Sequence, residues 1–140
     1  MRVHLQLATA ALCALVLGQS QARAADPDVA ALQGKWLVES FAYNGSPVEA
    51  MQGATREIKD DKYSLTPTAG EAINGTIKVD STKKPKQIDL DVNGRTLKGI
   101  YEIQGEMLKL CYRLNGDERP TEFDSKPDSG AVLVIHRRAK

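Results

Sequence analysis

Residues 87–113, QIDLDVNGRTLKGIYEIQGEMLKLCYR, constrain the fold more than any other stretch of the chain. Ile88, Leu90 and Val92 alternate with Gln87, Asp89 and Asp91. This is the two-residue period of a strand with one face on a core and the other in water. Asn93-Gly94 follows, and both residues tolerate the positive φ that a type I′ hairpin turn requires. Beyond it Leu97, Tyr101 and Ile103 share a face, with Gly99 between them. Gln104-Gly105 then turns the chain into a strand whose Leu108, Leu110 and Tyr112 oppose Lys109, Cys111 and Arg113.

The same period recurs elsewhere, while helical periodicity barely appears. Strands are predicted over Gly34 to Tyr43, Thr55 to Lys59, Lys62 to Thr66, Ala72 to Asp80 and Ala131 to Arg138. Asn44-Gly45 and Asp60-Asp61 mark turns, and Ser46 to Ala54 is the one segment with room for a helical turn. Eight strands at this spacing predict an all-β antiparallel barrel or sandwich. Gly75 and Gly99 fall mid-strand on the apolar face, where glycine weakens a strand unless curvature or close backbone approach calls for it. Both suit the tight bending of a closing sheet. An eight-stranded barrel has an interior that side chains fill or that holds one small ligand.

The N-terminus has its own composition. Arg2 and His4 precede the apolar run LQLATAALCALVLG, and QSQARA then presents Ala22 and Ala24 as the small residues of a cleavage site. Residues 1–24 are expected to be a secretory signal peptide cut after Ala24, with Ala25 as the alternative, and not a membrane anchor. Cys13 follows Leu12 inside the apolar run, so lipidation is not expected. Removing 24 of the 140 residues leaves 116, one domain's worth, divided into a tail at 25–32 and a barrel at 33–140. Arg2 and Arg23 leave with the signal, taking Lys and Arg from 19 to 17 against 18 Asp and Glu. The exported chain then carries about −1, without the basic face that nucleic acid demands. Cys111 is its one thiol, so no internal disulfide forms and the core alone must hold the fold.

Gly34-Lys35-Trp36 resembles the G-x-W opening of the lipocalins, in which a first-strand tryptophan closes one end of an up-and-down barrel. In that superfamily a basic residue after the final strand packs across the indole, as a guanidinium stacks well on an aromatic face. The resemblance assigns this place to Arg137, which shares parity with Leu133 and Ile135, with Arg138 as the alternate. Together LQGKWLVES, STKKPKQIDL, LKGIYEIQGEMLKLCY, ERPTEF and SKPDSGAVLVIHRR resemble an uncharacterised lipocalin-like family of exported bacterial proteins of planctomycete type. The likeness runs over nearly all of Leu32 to Arg138 and implies an antiparallel eight-stranded up-and-down lipocalin-like barrel, periplasmic or secreted. It implies no activity.

The residues themselves offer little chemistry. The exported chain keeps one histidine, His136, whose parity places it opposite Ile135 and Arg137 on the solvent face. One histidine makes no His-rich zinc site, and the chain has no H-E-x-x-H, paired C-x-x-C, G-x-S-x-G or P-loop. Cys111 could pair with His136 across neighbouring strands, although a thiol inside an alternating strand lacks the strained turn or helix start that activates one. The acidic connection with Asp117, Glu118, Glu122, Asp124 and Asp128 lacks the closing bidentate ligand of a calcium loop, and Phe123 is expected to anchor it over one barrel end. No metal, cofactor or catalytic set is expected.

Tyr63, Tyr101 and Tyr112 fall on the apolar parity of their strands. They either line a cavity with inward hydroxyls or fill a solid core. The expected function is an exported, non-catalytic binding module holding a small apolar or amphipathic ligand against these three tyrosines. The alternative is a filled barrel that binds a protein partner, such as a protease inhibitor acting through Ala25 to Leu32 or its loops.

Overall fold

The computed structural model describes residues 26–115 and 118–139. The segment expected to be a signal peptide, its expected cleavage after Ala24, and Asp117 of the acidic connection lie outside the described residues. Within them the chain forms one short helix, α1 (Pro27–Leu32), and nine strands: β1 (Gly34–Tyr43), β2 (Ser46–Pro47), β3 (Thr55–Lys59), β4 (Lys62–Thr66), β5 (Ile73–Asp80), β6 (Gln87–Val92), β7 (Arg95–Gln104), β8 (Met107–Arg113) and β9 (Ala131–Arg138). β2 is a two-residue hairpin return on β1. The other eight run antiparallel in sequence order, and β1 pairs with β9 to close an up-and-down barrel. A 3-10 turn, Glu49–Met51, occupies the segment expected to hold a helical turn.

Closure depends on β1, which pairs with β3 through Gly34–Leu37 and with β9 along nearly its whole length. Its register shifts between Val38 and Ser40. The extra residue moves the inward set from Trp36 and Val38 to Phe41 and Tyr43, the bend and phase change that a bulge produces. The two mid-strand glycines sit where backbones crowd. A Cβ on Gly75 would overlap the Asp91 carbonyl oxygen and the Tyr63 ring, and one on Gly99 would stand 2.7 Å from the Cys111 carbonyl oxygen.

On β9 the expected phase is reversed. Directly paired residues share a face, and the register sets Arg138 opposite Trp36, His136 opposite Val38 and Val134 opposite Leu110. Val132, Val134 and His136 are therefore buried inside, while Arg137 is exposed. AVLVI is apolar at every position, so alternation cannot fix its phase; only pairing with β1 and β8 does. His136 is consequently a core residue and not a solvated one.

One barrel end is plugged. Asp26 caps α1 by accepting from the Asp28 amide at 3.0 Å, and Pro27 opens the helix without needing a backbone donor. Leu32 is fully buried, and its carbonyl accepts from the Trp36 indole nitrogen at 2.9 Å. The N-terminal tail, from Pro27 onward, thus lies folded onto the barrel. Arg138, not Arg137, covers Trp36: its guanidinium carbon lies 4.1 Å from the indole centroid. Its two terminal nitrogens donate to the Gln33 and Ala31 carbonyls, each at 2.8 Å. Arg137 points outward to Glu39 at 2.8 Å. Arg138→Ala is therefore expected to cost about 1–2 kcal/mol in chemical denaturation through lost stacking and helix-end hydrogen bonds. Arg137→Ala should stay within about 0.5 kcal/mol, as an exposed ion pair does. Equal effects would refute this assignment.

The connection between β8 and β9 lies along the outer wall. Arg119 holds it there, donating to the Ile88 carbonyl at 3.1 Å, the Gly99 carbonyl at 2.6 Å and the Asp89 carboxylate at 2.6 Å. Ile100 and Cys111 are buried beneath it despite facing outward. Phe123 rests half-buried on that wall, 5.4 Å from Lys109 Nζ, and does not cover a barrel end.

Candidate functional site

The barrel end opposite the plug is open. A cavity of about 460 Å³ runs inward from it, within the size range of small-molecule sites. The bulge on β1 turns Phe41 into it, the 3-10 turn brings Met51 to the mouth, and Leu65, Leu90, Val92 and Leu97 form apolar walls. Ile73 stands exposed at the rim. Leaving Gly75 and Gly99 without side chains lets Tyr63 and Tyr112 pack against bare backbone.

Two of the three expected ligand-facing tyrosines, Tyr63 and Tyr112, border this cavity. Tyr101 does not. Its hydroxyl donates to Asp28 Oδ2 at 2.8 Å, on the same oxygen that accepts from Lys86 Nζ at 2.8 Å. It belongs to the plug, securing α1, and burial with the nearby Asp28 carboxylate pushes its pKa well up. Burial also pushes Tyr63 up to about 12, against the pull of Arg56, and raises Tyr112 likewise. Both remain neutral hydroxyls at neutral pH.

The residue that gives the cavity its electrostatic character is Arg56, on β3 and 1% exposed. Its guanidinium carbon lies 5.5 Å from the Tyr63 ring centroid, and its Nε donates to His136 Nε2 at 3.0 Å. Nη2 is buried without a partner. His136 lies 2.9 Å from the Leu108 carbonyl through Nδ1. A carbonyl only accepts, so Nδ1 carries the proton and Nε2 offers its lone pair to Arg56. Burial, reinforced by the Arg56 charge, holds the imidazole down to about 3. No carboxylate among the described residues lies in ion-pair reach of Arg56.

Sequence reasoning missed Arg56, although a signal existed. In TREIK, Thr55, Glu57 and Lys59 take the polar phase, and Arg56 shares the inward phase with Ile58. A charge at an apolar position is the pattern that marks a buried functional or structural cation.

The Cys111–His136 pair, which neighbouring strands could in principle form, is not assembled. Cys111 faces outward, its Sγ 3.4 Å from the Asp124 carbonyl oxygen, and burial raises its pKa. His136 faces inward, with both ring nitrogens occupied. Among the described residues no three His, Cys, Asp or Glu side chains converge as a metal site, and no helix is long and apolar enough to cross a membrane. A depression of similar size beside Lys83, Lys84, Lys86 and Phe123 runs along the outer wall and lacks the apolar enclosure of the barrel mouth. Comparison with protein-family models, with curated proteins and with solved structures returns no match.

Proposed function

We propose that this protein is an exported, lipocalin-like and non-catalytic binding module whose open barrel end holds one small apolar or amphipathic molecule. The observation that carries this reading is the cavity of about 460 Å³ walled by Phe41, Leu65, Leu90, Val92 and Leu97. Apolar walls exposed to water favour any apolar body that displaces that water, at about 25 cal/mol per Å² covered. The signal-like residues 1–24 support an exported address. The reading of a protease-inhibiting tail loses support, because Pro27–Leu32 is engaged by Trp36, Arg138 and Tyr101.

Binding of a solvatochromic apolar dye tests the proposal. The protein is expected to bind one dye per chain with a blue-shifted emission. Val92→Trp should fill the mouth and reduce that signal about tenfold or more while the melting temperature stays within a few degrees. A protein that binds no dye, or a Val92→Trp variant that binds it equally well, would remove the cavity as the site.

A further inference from the structure

A buried guanidinium that lacks a counter-charge is costly, because desolvation is offset only by full pairing and hydrogen bonding. Arg56 has half of what it needs: Nε is satisfied by a neutral imidazole and the Tyr63 ring lies near, but Nη2 has no partner. The neighbouring titratable groups do not supply the missing charge. His136 is neutral with its lone pair already engaged, and the Tyr63 and Tyr112 hydroxyls keep their protons. Arg95, at the rim, adds a second cation and no acid. Every charged group that borders the cavity is therefore positive, around walls that are otherwise apolar.

This pattern specifies a ligand with one anionic end and an apolar remainder. We propose that the cavity takes an amphipathic carboxylate whose head accepts from Arg56 Nη2 and whose apolar body runs outward past Leu90 and Val92 to the mouth. The inference rests on the binding-module reading and names the ligand class for the same site. Because Nε is committed to His136, the carboxylate meets the guanidinium at the terminal nitrogen and not across the Nε side. His136 is a positioning residue: it engages Nε, fixes the guanidinium rotamer and leaves Nη2 unpaired. A quaternary ammonium amphiphile is rejected by two arginines, and an alcohol of equal length leaves the charge uncompensated.

Isothermal titration of the protein, expressed from its full sequence in an exporting bacterial host and stripped of bound amphiphile, tests this. The probes are octanoate, decanoate and dodecanoate, the alcohols of the same lengths, and dodecyltrimethylammonium. At least one carboxylate should bind one per chain, about tenfold or more tighter than its alcohol, the factor carried by one charge-assisted hydrogen bond. The ammonium should not bind. Arg56→Met should erase the preference while the alcohol binds as well as before or better, and this variant is expected to fold because an apolar replacement relieves a buried charge. Equal binding of carboxylate and alcohol to the unaltered protein would overturn the anion inference and leave the cavity reading standing, whatever the variant does. A preference that survives in folded Arg56→Met would do the same. Failure of every probe to bind would overturn both.

Discussion

Trp36→Ala is expected to lower the stability of this protein by about 3–5 kcal/mol, the range for deleting a large buried aromatic. The indole is fully buried and closes the barrel between Leu32 and Arg138. Its loss removes apolar burial, leaves the Leu32 carbonyl without its donor and strips the surface on which Arg138 stacks. The Ala31 and Gln33 carbonyls held by Arg138 would loosen together with α1. A domain of this length is held by about 5–15 kcal/mol in total, so the variant should unfold at a much lower urea concentration. Trp36→Phe should cost less, about 1–2 kcal/mol, because the ring packing persists and only the indole donor is lost. Circular dichroism must follow the transition, since Trp36 is the chain's one tryptophan. A Trp36→Ala midpoint close to that of the unaltered protein would mean that the plug is not what closes this end.

The contrast between β6 and β9 shows what the sequence made legible. In QIDLDV each apolar residue is flanked by polar ones, so strand, phase and inward face follow from one reading, and Ile88 and Leu90 are buried as their parity implies. In AVLVIHRR no polar residue interrupts the first five positions. The strand is evident, but its phase is decided by its neighbours through Trp36 opposite Arg138 and Leu110 opposite Val134. That one reversal moved His136 from solvent to core and exchanged the roles of Arg137 and Arg138. The bulge on β1 is equally invisible to a period count, yet it directs Phe41 into the cavity. α1 escapes periodicity because six residues are fewer than two turns. Its start was nevertheless written in Asp26-Pro27, an N-cap followed by a proline at the first helical position. Whether the barrel is filled or hollow at its open end depends on side-chain volumes across seven strands, which no local pattern encodes.

His136 should make this protein acid-sensitive well above the carboxylate range. The folded chain holds the imidazole at about 3, whereas an unfolded histidine titrates near 6.5. Between those values the unfolded chain binds the proton and the folded chain does not, so stability rises with pH across that window. The contribution is complete above about 6.5 and drains away as pH falls toward 3, with a slope approaching about 1.4 kcal/mol per pH unit. Between pH 7 and 4.5 the loss attributable to this one group is about 2–3 kcal/mol. Burial is the main cause, and geometry adds to it: protonating Nε2 would remove the acceptor for Arg56 Nε and set two buried cations within hydrogen-bond distance. Asp26 and Asp80, whose pKa values are lowered mainly by hydrogen bonds from Ser81 and Thr82, lose their stabilising effect only at lower pH. His136→Gln separates the two contributions, since its carbonyl can accept from Arg56 and it does not titrate. Urea denaturation of both proteins at pH 7, 6, 5 and 4.5 should show the unaltered protein losing stability while His136→Gln stays nearly level. Curves that run parallel throughout would mean that the imidazole is not a neutral buried partner of Arg56. Bound carboxylate on Nη2 would neutralise the same guanidinium and lessen the penalty for protonating His136, so the descending limb would still begin near 6.5 but level off at a higher pH and lose less stability. A saturating carboxylate that leaves the limb unchanged would therefore count against contact with Arg56 even if the cavity is occupied.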